Sequence, residues 1–261
     1  MIDSTALLMT QTPDNFYDTW TIPFDGSGFF HPHLNGAGSP LPGLTPVTAD
    51  HRHFVVTYPM DAGAAQWRTF LVPVDASDMN FINLTPAGAS VFGAALFEDG
   101  NALVQRQNVG WQVMQVGSSG ATAGPVLDGN TVDYFLGTVG RYAVFQDASA
   151  PYPIHAARED GAITTTLAAT GNLAVPPVLL SSGRILYVDS ARTAWVAEPD
   201  LSLQVALGAG PVDSLYDGGR GDGNREFYVT HRFSGLFDTF VLNVDSRTVD
   251  RLLGHQGYFL P

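Results

Sequence analysis

The sequence has no cysteine and no lysine, and only 14% of its residues are charged. Without cysteine, disulfides and thiolate metal sites are excluded. Charged residues make up roughly 25% of an average soluble domain, so their scarcity argues against long solvated helices. The 25 acidic residues outnumber the 12 arginines, and the net charge of -13 repels phosphate backbones and anionic membranes. We therefore expect no nucleic-acid partner.

Long apolar runs are missing as well. No run approaches the roughly 18 residues that a membrane-spanning helix needs, so we expect no membrane insertion. The opening residues, MIDSTALLMTQTPDN, have neither the basic region nor the small-residue cleavage site of a signal peptide. If the natural protein is exported, its signal is expected to be absent from this chain.

The sequence is rich instead in turn residues and short apolar runs. Glycine (28 residues) and proline (17 residues) separate runs of Val, Ile, Leu and aromatic residues. No apolar stripe of helical period extends beyond two turns. The sequence therefore predicts an all-β fold.

Two kinds of segment recur along the chain. In the first kind a strand enters a tight polar turn, and six copies align without gaps: WTIPFDGSG (20–28), FLVPVDASD (70–78), QVMQVGSSG (112–120), HAAREDGAI (155–163), WVAEPDLSL (195–203) and FVLNVDSRT (240–248). The second kind precedes each of these, begins apolar and ends polar: LLMTQT (7–12), FVVTYP (54–59), ALVQRQ (102–107), YAVFQD (142–147), ILYVDS (185–190) and FYVTHR (227–232). Repeats of about 40 residues that each offer several strands are typical of a β-propeller.

We predict a single domain, residues 1–261, that forms a six-bladed β-propeller with four-stranded blades. The strands of a blade are named a (inner) to d (outer). The blades are expected at about residues 1–39 with 256–261, 40–86, 87–128, 129–169, 170–210 and 211–255. The first blade lacks an inner strand in sequence, so we expect the C-terminal HQGYFLP to supply it and close the ring.

The strand-turn segments resemble those of TolB-like six-bladed propellers with WD40-like (PD40) repeats. The residues that carry the likeness are VGRYAVFQD (139–147), SSGRILYVD (181–189), FEDGNALVQ (97–105) and the outer strand FINLTP (81–86). That family includes binding platforms, scaffolds and propeller domains attached to hydrolases. The resemblance implies an extracytoplasmic location (periplasmic, cell-surface or secreted) and leaves the chemistry open.

In a propeller the b-to-c and d-to-a connections lie on one face, around the mouth of the central channel. Six polar residues end the b strands at equivalent places in the repeat: Gln11, Tyr58, Arg106, Gln146, Asp189 and His231. Neighbouring loops add Asp61, Asp147, Arg192, Arg232 and His255. These groups could bind a polar ligand or act as acids and bases. Alternatively, they are polar only because strand ends that reach solvent usually are. We predict a ligand site at the mouth.

Aromatic residues and one long loop are expected on the same face. The aromatic residues suit a protein, peptide or sugar surface, and some of them are expected to pack between blades: Phe16, Tyr17, Trp67, Trp111, Tyr152, Phe233 and Phe237. The loop FFHPHLNGAGSPLPGLTP (29–46) contains His31 and His33. It could be a recognition loop, a metal site lacking its third ligand, or a tolerated insertion.

Two other motifs favour plain structural interpretations. His51 and His53 fall in an a-to-b hairpin on the opposite face. Residues 217–226, DGGRGDGNRE, contain Arg-Gly-Asp and several oxygen donors, but their spacing does not match a calcium loop. We expect a polar hairpin turn at His51 and His53 and a solvated hairpin at residues 217–226.

No motif of a catalytic nucleophile, zinc protease or phosphate loop is present. The sequence therefore favours a non-catalytic, monomeric binding propeller, with no cofactor or metal, that recognises a protein partner or a carbohydrate or other extracellular polymer. The alternative is a propeller lyase or hydrolase that uses His231, His255 and Asp189 in the channel, with or without a metal.

Overall fold

In the computed structural model every regular element of the described residues is a β-strand. The structure describes residues 5–11, 17–23, 53–59, 66–73, 81–129, 133–162, 164–169, 175, 177–180, 183–200, 202–207, 212, 214–220, 225–232, 236–243 and 248–255. The predicted all-β class is confirmed. Within these ranges no helix is long and apolar enough to cross a membrane.

The chain divides into two compact units, the first formed by residues 1–131 and 158–162. Its strands are β1 (Thr5–Gln11), β2 (Tyr17–Pro23), β3 (His53–Pro59), β4 (Trp67–Pro73), β5 (Ile82–Asn83), β6 (Val91–Leu96), β7 (Ala102–Arg106), β8 (Gly110–Gly117) and β9 (Gly120–Asp128). They form a two-stranded sheet β1-β2, a three-stranded sheet β3-β4-β5 and a four-stranded sheet β6-β7-β8-β9, all antiparallel.

The second unit is formed by residues 132–157 and 163–261. Its strands are β10 (Tyr134–Val139), β11 (Tyr142–Gln146), β12 (Pro153–Arg158), β13 (Thr164–Ala169), β14 (Val178–Leu179), β15 (Ile185–Val188), β16 (Ala194–Ala197), β17 (Gln204–Ala206), β18 (Ser214–Arg220), β19 (Arg225–Arg232), β20 (Leu236–Asn243) and β21 (Thr248–His255). They form three four-stranded sheets in sequence order. The six-blade count, the single domain and the ring closure stay predictions, and residues 256–261 lie outside the described part.

Strand β15 shows how the sequence builds the interior of the second unit. Its four residues, ILYV, are all buried, as expected for a strand covered on both faces. Because side chains alternate along a strand, Ile185 and Tyr187 join the core shared with the β10–β13 sheet, whereas Leu186 and Val188 join the core that reaches Leu215 in β18. One apolar run therefore stabilises two sheet-to-sheet contacts, at about 1.5–3 kcal/mol for each large apolar side chain buried.

The first unit has an equivalent core between its second and third sheets. Val55 and Leu71 of the β3-β4-β5 sheet pack with Val91, Val104 and Met114 of the β6–β9 sheet. A polar contact supports this packing, since the Ser90 hydroxyl accepts the Trp67 backbone N–H at 2.9 Å. The connection that enters β6 is therefore fixed to the preceding sheet.

The polar turns of the repeat close on their own carboxylates. Asp160 Oδ1 accepts the backbone N–H of Ala162 at 2.9 Å, and Asp200 Oδ1 accepts that of Ser202 at 2.8 Å. A carboxylate that bonds the backbone two residues ahead mimics a backbone turn. This explains why Asp recurs where a c strand turns into a d strand.

Candidate functional site

Arg106, one of the predicted strand-end residues, reaches across its own sheet in the first unit. Its Nη1 donates to Gln112 Oε1, and Gln112 Nε2 donates to the Gly124 carbonyl at 2.9 Å. Gln112 is registered opposite Val104, two residues before Arg106, so both side chains lie on one face of the sheet. The guanidinium of Arg106 is thus already engaged by a buried amide.

The other predicted residues of the first unit are placed by their backbones. Gln11 ends β1 and is registered opposite Tyr17, and Tyr58 in β3 is registered opposite Arg68 in β4. His33 lies outside the described residues. Both placements fit a strand end, and a role in binding stays a prediction.

Asp189 in the second unit organises the turn that follows β15. Its Oδ1 accepts the backbone N–H groups of Ala191 and Thr193, both at 2.9 Å, and its Oδ2 accepts Trp195 Nε1 at 2.8 Å. Both carboxylate oxygens are therefore used inside the same hairpin. Burial raises the pKa of Tyr187, which precedes it by two residues, and the negative charge of Asp189 raises that pKa further, although a hydrogen bond with Gln204 opposes the shift.

Gln146 is 2% exposed and is registered opposite Tyr134 at the start of β10. Its neighbour Phe145 stacks on His155, with ring centroids 5.2 Å apart. His155 is the first residue of its aligned c-strand segment, as Gln112 and Trp195 are of theirs. The ring that stacks on this position is therefore that of Phe145, one residue before the predicted Gln146.

A carboxylate completes this cluster of the β10–β13 sheet. Asp147 Oδ1 lies 3.0 Å from His155 Nδ1, and their side chains are 35% and 15% exposed. Phe135 packs against Phe145 on the far side of the stack, with centroids 5.6 Å apart. The imidazole is held between an aromatic ring and a carboxylate, which fixes its orientation.

The remaining predicted residues lie in the last sheet. His231 in β19 is registered opposite Phe237 in β20, which is registered in turn opposite His255 in β21. The two histidines are therefore two strand spacings apart, about 10 Å between backbones. Arg232 is registered opposite Leu236 and ends β19. In the part of the chain that the structure describes, no group of three or more His, Asp or Glu could hold a metal.

Among the described b-to-c turns, those of the β6–β9, β10–β13 and β14–β17 sheets each contain one residue other than glycine with a left-handed backbone. They are Asn108 (φ 60°), Tyr152 (φ 58°) and Arg192 (φ 64°). The a-to-b turns of the same sheets place glycine at their left-handed positions: Gly100, Gly140 and Gly183. Asn adopts this conformation readily, whereas for Tyr and Arg it costs on the order of 1–3 kcal/mol.

One exposed aromatic residue was not singled out by sequence reasoning. Tyr134 exposes 52% of its surface at the start of β10. The Asp133 carboxylate accepts the Ala148 backbone N–H at 3.0 Å, which joins this strand start to the b-to-c turn at 147–152. The sequence feature that could have identified Tyr134 is an aromatic residue at the start of an inner strand. Tyr134 therefore belongs to the surface that this turn forms.

No protein-family model and no curated protein matches the sequence, but solved structures match its fold. Prolyl oligopeptidase B from Galerina marginata gives a TM-score of 0.57 at 9% identity, over 96% of this chain and 42% of that chain. Oligogalacturonate lyase from Vibrio parahaemolyticus gives a TM-score of 0.52 at 11% identity, over 98% of this chain and 76% of that chain.

TolB from Acinetobacter baumannii matches with a TM-score of 0.48 at 14% identity, over 95% of this chain and 63% of that chain. At such identities the matches show the fold alone, and that fold is the β-propeller. The likeness to TolB-like propellers predicted from the sequence is confirmed as a likeness of fold. The chemistry of the chain does not follow from these matches.

Proposed function

We propose that this protein is a non-catalytic binding propeller that recognises a protein partner through its b-to-c turns. The observation that carries the proposal is that described polar groups at the strand ends already make contacts within the fold. Both oxygens of Asp189 accept bonds from their own hairpin, Arg106 binds Gln112, and Asp147 holds His155. A group that already stabilises the fold is poorly suited to proton transfer, whereas Tyr134, exposed next to the turn at 147–152, suits contact.

A peptide selection tests this proposal. A library of random twelve-residue peptides displayed on phage would be selected on the immobilised protein, and the winners measured by calorimetry. We expect peptides that bind one to one with micromolar Kd and are not cleaved. Failure to select any peptide contradicts recognition of a protein. Binding of soluble polysaccharides by the same protein would instead support the extracellular-polymer form of the proposal.

A propeller lyase is the second candidate, favoured by the match to oligogalacturonate lyase over 98% of this chain. His231 and His255 would be its acid–base residues, with Asp189 in a supporting role. Oligogalacturonate would be incubated with the protein and the unsaturated product followed by ultraviolet absorbance. Turnover that disappears in both His231→Ala and His255→Ala would establish the lyase and remove the binding proposal.

We also propose an extracytoplasmic location and a monomeric state. The location rests on the resemblance of the sequence to TolB-like propellers, and the monomer on a net charge of -13, which makes copies repel each other. Fractionation of the source cells and light scattering of the purified chain test the two statements. Recovery in the cytosol, or a dimeric mass at physiological salt, would contradict them.

A further inference from the structure

Arg106 is the only charged residue between Asp99 and Asp128, a segment that covers strands β7 and β8 and most of β9. The face of the β6–β9 sheet that carries Val104 and Arg106 packs against the β3-β4-β5 sheet, whose three strands contain no aspartate or glutamate. Arg106 forms no ion pair with any described residue. Its positive charge is therefore not neutralised by the part of the fold that the structure describes.

Gln112 holds the guanidinium of Arg106 in one orientation. Arg106 Nη1 donates to Gln112 Oε1, and Gln112, 7% exposed, is itself held by the bond from its Nε2 to the Gly124 carbonyl at 2.9 Å. A side chain that is held in place before binding loses less entropy when a ligand arrives. A carboxylate could orient the guanidinium equally well, but it would also neutralise the positive charge. The neutral amide orients Arg106 and leaves its charge for a ligand.

The edge of the guanidinium that Gln112 does not contact has no acceptor among the described residues. Nη1 lies on one side of the group, and the N–H bonds of Nε and Nη2 point in parallel from the other side. No described residue accepts a bond from Nη2 or from Nε, and Nε is buried. A buried donor without an acceptor destabilises a fold and is rare in native structures. An acceptor supplied from outside the chain would remove this destabilisation.

We propose that Arg106 binds an acidic side chain of the protein partner through its Nε and Nη2 edge. Two parallel donors match the two oxygens of a carboxylate, and among the side chains this pairing is specific to arginine. Arg106 ends β7 and directly precedes the b-to-c turn at 107–109, where Gln107 and Asn108 are exposed and uncharged. The inference rests on the proposed function, since it names the group that one of these turns recognises.

The charge of the whole chain limits which partner segment fits. A net charge of -13 repels acidic segments over most of the surface. We therefore expect one acidic residue, opposite Arg106, in a segment that is otherwise neutral or basic.

The peptides selected on the immobilised protein, synthesised with an amidated C-terminus, test this pairing by calorimetry. Replacing their acidic residue by Asn or Gln should weaken the Kd for the wild type about tenfold or more, and Arg106→Gln should do the same for the unchanged peptide. The two changes together should weaken binding no more than either alone, because both remove one contact. Arg106→Lys retains the charge without the parallel donors and should not restore the affinity.

Arg68→Gln is the matched control, because Arg68 is an exposed arginine in β4 of the same unit. This variant should leave the Kd within about twofold of the wild type. Selected peptides that contain no acidic residue, or that bind the wild type and Arg106→Gln equally, would overturn this inference and leave the proposed function standing. Absence of any selectable peptide would overturn both.

NMR of the arginine Nε–H groups tests the contact in the wild-type protein, independently of how the variants fold. The Arg106 signal is identified as the one that Arg106→Gln removes. The acidic peptide should move its proton resonance downfield, as a bond to a carboxylate does, whereas the same peptide with Asn or Gln should not. An Arg106 signal that does not respond to the bound acidic peptide would overturn the inference even if Arg106→Gln weakens binding, because that variant would then act through the fold.

Discussion

Two b-to-c turns at the same place in the repeat are held by different means. In the β6–β9 sheet, residues 107–109 join Arg106 to Gly110, and the turn is held by main-chain bonds from Gln107 to the Ser90 carbonyl at 3.0 Å and from Val109 to Arg106 at 3.3 Å. In the β14–β17 sheet, residues 189–193 close around the carboxylate of Asp189. Main-chain bonds close the second turn as well, from Arg192 to the Asp189 carbonyl at 2.9 Å and from Asp189 to the Thr193 carbonyl at 3.0 Å, and the Asp189 side chain adds two more.

The same contrast extends to the c-to-d turns of these sheets. The turn between β8 and β9 is GSSG, residues 117–120, and contains no carboxylate, whereas the turn between β16 and β17 closes on Asp200. We therefore expect the stability of the β6–β9 sheet to fall when a side chain is added at its turn. The stability of the β14–β17 sheet should fall when a turn carboxylate is removed.

Gly110→Ala should have the largest effect. Gly110 has φ +96°, and a Cβ there would lie 2.1 Å from the Asp128 carbonyl oxygen. Backbone cannot move aside as a flexible side chain can, so we expect a loss of about 3–5 kcal/mol in the free energy of unfolding, measured with urea. Gly93→Ala in the same sheet is the control, because nothing lies within 4 Å of a Cβ there. Equal losses in both variants would show that the turn is not held by close approach.

Asp189→Ala should have the next largest effect. It removes an acceptor for two backbone N–H groups and for the Trp195 indole, and we expect a loss of about 2–3 kcal/mol. Asp189→Asn retains one oxygen and should recover part of this loss. Urea unfolding of both variants, together with the fluorescence of Trp195, measures the effect. If Asp189→Ala unfolds like the wild type, the carboxylate does not hold this turn.

The turns that close on a carboxylate could be predicted from the sequence. Asp200 and Asp160 could be placed at turns because a period-two strand followed by Asp and small residues has a local physical cause. The all-β class followed from the same short-range patterns. These features are set by residues that are neighbours in the chain, so a gapless alignment of the repeats finds them.

Which side chain contacts the c strand could not be read in this way. The repeat alignment makes Gln146 equivalent to Asp189, but the carboxylate that reaches the c strand here belongs to Asp147, 3.0 Å from His155, and Phe145 stacks on the same imidazole. The a-to-b hairpin there is short, with Val139 registered opposite Tyr142, and the register shifts between Phe135 and Gly137. A slip of one residue moves a side chain to the other face. The left-handed backbones of Tyr152 and Arg192 are likewise invisible in sequence, because residues of these types rarely adopt them.

Tyr187→Phe should change the response of the β14–β17 sheet to alkali. Burial raises the pKa of Tyr187 above the unfolded value of about 10. The folded state therefore keeps its proton longer, so this contribution to stability is full below about pH 10 and is lost as the pH rises through the folded pKa. The variant should lack this loss and should cost about 1 kcal/mol at neutral pH, because Gln204 loses its bond. Parallel stability curves from pH 7 to 11 would contradict the prediction.

Asp200→Asn should have the smallest effect, and that effect should change with pH only in the acid range. A hydrogen bond from the Ser202 side chain, aided by the Ser202 backbone N–H, lowers the pKa of Asp200 below its ordinary value. The stabilisation of the fold by the Asp200 carboxylate is therefore present above the unfolded pKa of about 3.9. It is lost as the pH falls through the folded pKa. The stability difference between wild type and Asp200→Asn should shrink over that window. Ser202→Ala, followed by NMR titration of the Asp200 carboxyl, should raise the pKa. An unchanged titration would show that the Ser202 hydroxyl does not stabilise the charged form of Asp200.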